Sequence, residues 1–415
     1  MTSRSNASAG CRFCGGALHS FVDLGMSPLC ESYLPADRLD AMEPFYPLHV
    51  RVCADCLLVQ LPQFVPPEEI FTEYAYFSSY SQAWLDHARD YVETITRRLS
   101  LGPKSRVVEL ASNDGYLLQF FVQKSIPVLG IDPAANVAKA AEARGVPTLV
   151  GFFDEATGRR LRAEGKTADL VVANNVLAQV PDLNSFVAGM AALLAPHGIA
   201  TLEFPHLMRL IAENQFDTIY HEHFSYFSLG TTQRIFAAHG LRIVDVEELW
   251  THGGSLRVYA AHAGDATHPT LPSVSRLIAR EADVGLDRLP FYARFAEQVR
   301  ETKRKLLDLL IQLRREGKSI AGYGAPGKGN TLLNYCGIRS DFLDYTVDRN
   351  PYKHGRYLPG THIPIFPPEH IAETRPDYVF VLPWNLKDEI MAQLGYIRDW
   401  GGRFIVPIPI PSIIS

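Results

Sequence analysis

The chain has 415 residues, 47% of them hydrophobic and 20% charged, with a formal net charge of −5. That length exceeds what one hydrophobic core serves and implies two or three domains of an ordinary globular protein. The negative balance, with a pI near 6.3, excludes recruitment of nucleic acid or of an anionic membrane through bulk charge. No stretch approaches the roughly 20 apolar residues that a membrane helix needs.

The polar first ten residues carry no apolar run, so no secretory signal is expected. Two knuckles follow, Cys11-Arg12-Phe13-Cys14 and Cys53-Ala54-Asp55-Cys56. Each supplies two soft ligands from one tight turn, and together they make the four thiolates of a tetrahedral zinc site. Such a sphere has no open position, so the zinc is structural. The 38 residues between the pairs must hold a folded insertion. Cys30 and Cys336 read as core thiols rather than a disulfide, which points to a reducing cytoplasm. Residues 1–72 form this zinc-binding domain.

Next comes an aromatic and hydroxyl cluster, Tyr74-Ala75-Tyr76-Phe77-Ser78-Ser79-Tyr80. It reads either as part of an active site or as a packing stripe. Trp84, Leu85, Ala88, Tyr91, Val92, Ile95 and Leu99 recur at helical spacing and predict an amphipathic helix. From Arg106 short apolar runs alternate with helical stretches. The predicted strands are 107–110, 128–132, 148–150, 169–174 and 198–204. Strands alternating with helices imply a mostly parallel sheet covered on both faces, with ligands beyond the carboxyl ends of the strands. Glu109, Asp132 and Asn174 fall there. Residues 73–264 are the central, Rossmann-like domain.

The turn after the first of these strands is Ala111-Ser112-Asn113-Asp114-Gly115. An acid closing the second strand, Asp132, suits ribose hydroxyls. The turn has one glycine and no G-x-G-x-x-G, so it offers little backbone to a diphosphate. Glu109 would repel phosphates and favour a cationic, phosphate-free nucleoside such as S-adenosylmethionine. The candidate cofactor residues are Glu109, Ala111, Asn113, Gly115, Asp132, Asn174 and Asn175. The alternative is a plain strand turn with solvated acids.

Tyr220-His221-Glu222-His223 is the strongest catalytic candidate. An imidazole titrates near neutral pH, so His223 can take a proton from carbon while Glu222 or Tyr220 orients it or steadies an oxyanion. A metal reading lacks H-E-x-x-H spacing and a third ligand. Residues near 265–284 read as a linker. Phe291, Phe295, Val299, Leu306, Leu310 and Leu313 predict a long helix with charges on its other side.

A second α/β unit, residues 265–415, begins at Ser319. Gly322, Gly324 and Gly327 spell G-x-G-x-x-G between a strand and a helix, and Asp348 lies 21 residues beyond Gly327. Such a turn, with Lys328, suits a diphosphate. Tyr323, Gly324, Lys328, Asn330 and Asp348 are the candidate substrate residues. Spacing does not separate a dinucleotide cofactor from a nucleotide-sugar substrate, or either from a glycine turn packed for close helix–strand contact. Later strands are expected at 342–348, 378–382 and 403–406, and the proline-broken tail at 404–414 reads as a buried strand with an extended end.

Paired C-x-x-C knuckles, E-L-A-S-N-D-G, Y-H-E-H and G-Y-G-A-P-G-K-G-N in this order resemble the sugar C-methyltransferases of antibiotic deoxysugar pathways, of the tetronitrose and mycarose type. The resemblance runs from Cys11 to about Pro411. It implies an N-terminal zinc domain, a central S-adenosylmethionine domain, and a C-terminal domain that helps bind a dTDP-linked 4-keto sugar. It implies that Cys11, Cys14, Cys53 and Cys56 hold zinc, and that the 109–115 turn and Asp132 hold the cofactor. Tyr220, Glu222 and His223 would belong to the active site, with His223 as base and a tyrosine of the cluster, Tyr74 or Tyr76, joining them. One departure is Gln179, where members commonly carry a histidine after Leu177-Ala178. The expectation is an enzyme, cytoplasmic and monomeric. It would methylate carbon 3 of a dTDP-4-keto-6-deoxy sugar through a base-generated enolate. Methylation at carbon 5 is the alternative within that chemistry. An NAD-dependent oxidoreductase, an RNA methyltransferase and a non-catalytic zinc scaffold are alternatives in kind.

Overall fold

A computed structural model describes residues 10–71 and 77–415. In chain order the early strands are β1 (Leu18–Ser27), β2 (Tyr46–Cys53), β3 (Val59–Gln60), β4 (Val107–Leu110), β5 (Val128–Asp132), β6 (Thr148–Val150), β7 (Ala168–Asn174) and β8 (Leu194–Pro205). The later strands are β9 (Ser225–Tyr226), β10 (Leu241–Leu249), β11 (Ser255–His262), β12 (Ile320–Tyr323), β13 (Tyr345–Val347), β14 (Ile365–Phe366), β15 (Tyr378–Val381), β16 (Arg403–Val406) and β17 (Ser412–Ile414). The described chain is α/β throughout. It divides into two compact units whose segments alternate along the sequence. The first takes Met1–Leu18, Cys53–Leu207 and Glu222–Arg288; the second takes His19–Val52, Met208–His221 and Leu289–Ser415.

The first unit is built on a seven-stranded sheet of order β10-β11-β8-β7-β4-β5-β6. β8, β7, β4, β5 and β6 run parallel, as alternation with helices predicts. β11 then adds antiparallel to β8, and β10 antiparallel to β11. Those last two strands are absent from the sequence reading. They form a hairpin at the sheet edge, where no crossover helix announces them. The predicted helix is present as Gln82–Arg98, started by Ser81 accepting from the Trp84 amide. Its stripe of Ala88, Tyr91, Val92 and Ile95 packs with Val107, Leu170, Val172, Ile199 and Tyr259. Polar contacts fix its register on the sheet: Tyr91 Oη lies 2.6 Å from Thr201 Oγ1 and His87 Nε2 lies 2.9 Å from Glu203 Oε2.

Residues 265–284 are a correction. Pro272–Val284 is a helix, with Pro272 opening it and Gly285 closing it in the left-handed region. Val274, Leu277 and Glu281 are its buried face. Pro at the first turn and Gly just past the end are helix punctuation, here read as loop composition because the segment is short of large apolar residues.

The second unit holds a six-stranded sheet of order β14-β13-β12-β15-β16-β17. Its first five strands pair in parallel. The 404–414 tail turns back rather than trailing off: β17 pairs antiparallel with β16. The long amphipathic helix runs Phe295–Arg315 and buries Phe295, Val299, Thr302, Leu306, Leu310 and Leu313. The insertion between the cysteine pairs is folded, as expected, and contains β1 and most of β2. Cys30 and Cys336 are both buried and neither forms a disulfide; burial pushes the Cys336 thiol up to about 12. No helix among the described residues is long and apolar enough to cross a membrane.

Candidate functional site

The four knuckle cysteines converge within the first unit. Their Sγ atoms all lie within 4.8 Å of one another. Cys11 and Cys56 approach to 3.5 Å, as do Cys14 and Cys53. Zinc–thiolate bonds of about 2.3 Å in a tetrahedron place sulfurs about 3.7 Å apart, so the donor set fits zinc. Outer contacts orient the sulfurs: Gln60 Nε2 donates to Cys11 Sγ at 3.1 Å and the Asp55 amide to Cys53 Sγ at 3.4 Å. Neighbouring helices hold the knuckles from outside. Asn184 Nδ2 donates to the Phe13 carbonyl at 3.0 Å, and Thr231 Oγ1 to the Cys56 carbonyl at 3.3 Å.

This metal module is tied to the Y-H-E-H segment. Strand β3, which carries Gln60, pairs with β9 at Val59–Tyr226 and Gln60–Ser225. The Leu61 amide donates to the Phe224 carbonyl at 2.9 Å, and the Phe224 amide donates to the Ala178 carbonyl at 2.7 Å. His223 therefore sits one residue before a backbone clamp, and Gln179 one residue after the other side of it. His223 is half-buried, its ring 6.3 Å from that of Tyr226 in an edge-on arrangement. Glu222 is buried.

Tyr220 and His221 belong by their contacts to the second unit. His221 Nε2 is 3.3 Å from the Pro47 carbonyl, and its ring meets Tyr46 edge-on at 5.8 Å. Burial lowers its pKa, against the pull of the Pro47 and Tyr46 backbone. Tyr74 and Tyr76 lie outside the described residues. Just beyond them, the Ser78 amide donates to Asn113 Oδ1 at 3.0 Å, which ties Ser78 to the first nucleotide turn.

That turn follows β4. Strand order reverses at β4, with β5 on one side and β7 on the other, and such a switch point opens a crevice at the carboxyl ends. Glu109, Asp132 and Asn174 stand at or next to the ends of β4, β5 and β7. Asp132 accepts from the Asn113 amide at 2.8 Å and the Ala134 amide at 2.9 Å; burial nonetheless raises its pKa. Ala111, Asn113 and Gly115 all hold positive φ, at 57°, 48° and 76°. At Gly115 a Cβ would also meet Val146 Cγ2 at 3.1 Å and Ala141 Cβ at 3.2 Å, so the turn is both left-handed and closely packed. Asp114 pairs with Arg144 at 3.2 Å.

Several buried polar atoms here have no hydrogen-bond partner among the described residues. They are Glu109 Oε2, Ser112 Oγ, Asp114 Oδ1, Asn174 Oδ1 and Asn175 Nδ2. Orphaned polar atoms gathered at one crevice are the mark of a site that expects a polar ligand. Glu109 is almost wholly buried, and burial, then Asp132, Asp114 and Glu203, push its carboxyl well above the usual range. A cationic nucleoside bearing hydroxyl and amine groups fits this donor and acceptor set.

Sequence reasoning missed Glu203, Arg257 and His87. Arg257 Nε donates to Glu203 Oε1 at 2.8 Å. Burial alone would raise the Glu203 carboxyl, but His87 and Arg257 take it below its ordinary value. The signal was an acid embedded in the apolar run 199–204, which had to find partners.

In the second unit, Tyr323 and Gly324 stand at the end of β12, Lys328 and Asn330 in the helix that follows, and Asp348 just past β13. The fingerprint's atoms are largely satisfied from within. Asp348 Oδ2 accepts from the Ala325 amide at 2.7 Å and Oδ1 from the Asn350 amide at 2.8 Å. Asn330 Nδ2 donates to the Cys30 carbonyl at 2.6 Å. A Cβ at Gly327 would meet Cys30 Sγ at 2.8 Å, and at Gly324 would meet Pro383 Cδ at 2.6 Å. Tyr323 Oη stands 3.4 Å from Gln393 Oε1. Lys328 Nζ donates to Asn385 Oδ1 at 2.8 Å and lies over the Trp384 ring at 5.0 Å. Burial lowers its pKa, partly offset by Asp217. Asp217, unforeseen in the sequence, accepts from Trp384 Nε1 at 2.6 Å and has a second oxygen without a partner among the described residues.

Comparison with known proteins agrees in order with these parts. Family models match the zinc binding domain over residues 11–71, a methyltransferase domain over 84–246, and the C-methyltransferase C-terminal domain over 250–409. The C-methyltransferase NovU of Streptomyces niveus is 39% identical over 406 residues, covering 98% of this chain and 96% of that one. Solved methyltransferases are similar at lower identity. The glycopeptide N-methyltransferase MtfA has 15% identity over 42% of this chain and 96% of its own, with TM-score 0.34. Magnesium protoporphyrin IX methyltransferase from Synechocystis, with bound SAM, has 14% identity over 47% of this chain and 88% of its own, with TM-score 0.33. The chain belongs to the C-methyltransferase family, as an S-adenosylmethionine-dependent methyltransferase with a structural zinc module.

Proposed function

We propose that the protein methylates carbon 3 of a dTDP-linked 4-keto-6-deoxy sugar, with His223 as the base. The observation that carries this is the backbone clamp at Phe224, which holds the chain next to His223 against Ala178, just past the end of β7. A ketone acidifies the C–H next to it. His223 takes that proton, Glu222 orients the imidazole, and Tyr220 with Tyr74 or Tyr76 steadies the enolate oxygen. S-adenosylmethionine, when bound, supplies an electrophilic methyl group to the nucleophilic carbon. Glu109, Ala111, Asn113, Gly115, Asp132, Asn174 and Asn175 hold it, with Asp132 on the ribose. In this reading Lys328 exchanges its bond to Asn385 for the nucleotide diphosphate, with Tyr323 beside it, while Asn330 Nδ2 and Asp348 stay in their internal bonds.

In this reading residues 1–72, 73–264 and 265–415 act as zinc, methyltransferase and nucleotide-sugar parts of a cytoplasmic monomer. The oxidoreductase and scaffold alternatives fall with family membership. Carbon 5 stays the rival within the same chemistry, because a 4-ketone activates both neighbours. The test is His223→Asn with methyl donor and a panel of dTDP-4-keto sugars. A drop in kcat of at least a hundredfold is expected, with the product's methyl placed by NMR. Near wild-type turnover would remove His223 as base. Deuterium incorporation from solvent without methyl donor should appear at carbon 3 in the wild type and vanish in the variant.

A further inference from the structure

Glu109 stands among the residues assigned above to the cofactor, but the methyl-transfer chemistry gives its charge no task. It lies on a central strand, almost wholly buried, one oxygen without a partner among the described residues. The charged groups that act on it are all acids: Asp132 from β5, Asp114 from the turn and Glu203 from β8. The nearby cations are committed elsewhere, Arg257 and His87 to Glu203 and Arg144 to Asp114. An unpaired buried carboxylate costs several kcal/mol and takes up a proton instead. The crevice it underlies is the one assigned above to a ligand with a permanent positive charge. We propose that Glu109 is a charge-matching acid, neutral in the empty protein, that gives up its proton as the sulfonium cofactor binds.

The inference rests on placing S-adenosylmethionine at the 109–115 turn. Its balance is simple. The protonated carboxyl loses H⁺ to solvent, and the carboxylate left behind faces one new positive charge. When the methyl group leaves, the sulfur becomes a neutral thioether and the carboxyl takes a proton back. The site thereby favours the charged methyl donor over the demethylated product, and more so as pH rises. Below the pH at which Glu109 ionises in the empty protein, donor affinity should rise about tenfold per pH unit. Affinity for S-adenosylhomocysteine should stay flat.

Calorimetric titration at pH 7 in phosphate, HEPES and Tris buffers counts the protons. About one proton should leave per S-adenosylmethionine bound and none per S-adenosylhomocysteine. Glu109→Gln, checked for folding by its circular dichroism spectrum and thermal transition, should release none with either. Infrared difference spectra should lose one protonated-carboxyl band on donor binding in the wild type only. Donor binding with no proton released, or with the same release in Glu109→Gln, overturns the proposal while leaving the cofactor site standing. Failure of both nucleosides to bind the wild type overturns the cofactor site itself.

Discussion

The two glycine-bearing turns differ in the opposite sense to their motifs. The turn after β12 has the fuller fingerprint, three glycines and a lysine, yet its carboxylate and two of its glycines are taken up by the chain's own atoms, and of its buried amide side chain Asn330 Nδ2 is bonded while Oδ1 has no partner among the described residues. The turn after β4 has one glycine, yet five buried polar atoms around it lack partners among the described residues. A glycine pattern reports how closely backbones approach, and the approaching group can be protein as well as ligand. Unsatisfied polar atoms report what is still wanted. The second criterion separates the turns where the first ranks them wrongly for a charged ligand.

The comparison can be broken at several points. The largest effect is expected from the metal. Cys53→Ser, or a strong chelator, removes the anchor of β3 and so of β9. Turnover should fall at least a hundredfold, with loss of a discrete thermal transition in the first unit, because structural zinc supplies folding free energy outright. Zinc content by mass spectrometry and activity should fall together. Next is a matched glycine pair. Gly115→Ala puts a side chain at φ 76°, costing roughly 1–2 kcal/mol, and should weaken donor binding tenfold or more. Gly327→Ala collides with Cys30 Sγ, so roughly 1–3 kcal/mol of stability should be lost, with donor affinity within twofold of wild type. Equal effects on binding would erase the contrast.

A further test, read in stability alone, concerns Asp217, raised by burial to about 6. Its folded-state value lies above its unfolded one, so its stabilising contribution is complete below pH 4 and is lost as pH rises through about 6. By linkage the penalty above that pH is about 2–3 kcal/mol. Asp217→Asn should therefore gain stability relative to wild type at pH 8, and the difference should shrink by pH 5 in urea titrations. A pH-independent difference would show that Lys328 compensates the charge fully.

The fold was legible where chemistry forces a local pattern. Cys11 to Cys56, the strands ending in Glu109, Asp132 and Asn174, and the stripe from Trp84 to Leu99 each declare themselves within a few residues. What stayed hidden is what distance decides. Pro272–Val284 looked like linker because its charges mask a narrow apolar face. The β10–β11 hairpin has no crossover helix to mark it. Glu203 and Asp217 gain meaning only from His87, Arg257 and Trp384, more than fifty residues away in each case. At the Y-H-E-H motif, adjacency in sequence misled in another way: His221 is engaged by Pro47 and Tyr46, whereas His223 stands beside a clamp made by Leu61 and Ala178.

The alternation of segments between the two units bears on synthesis. A ribosome releases His19–Val52 long before Leu289–Ser415, the bulk of the unit it belongs to. That early segment gains the rest of its own unit only after Met208–His221 and Leu289–Ser415 have been made. Folding of the second unit strictly in order of synthesis is therefore disfavoured, because its segments are separated by those of the first. Truncation within Leu289–Ser415 therefore also removes partners of His19–Val52, which makes the chain a poor subject for fragment expression.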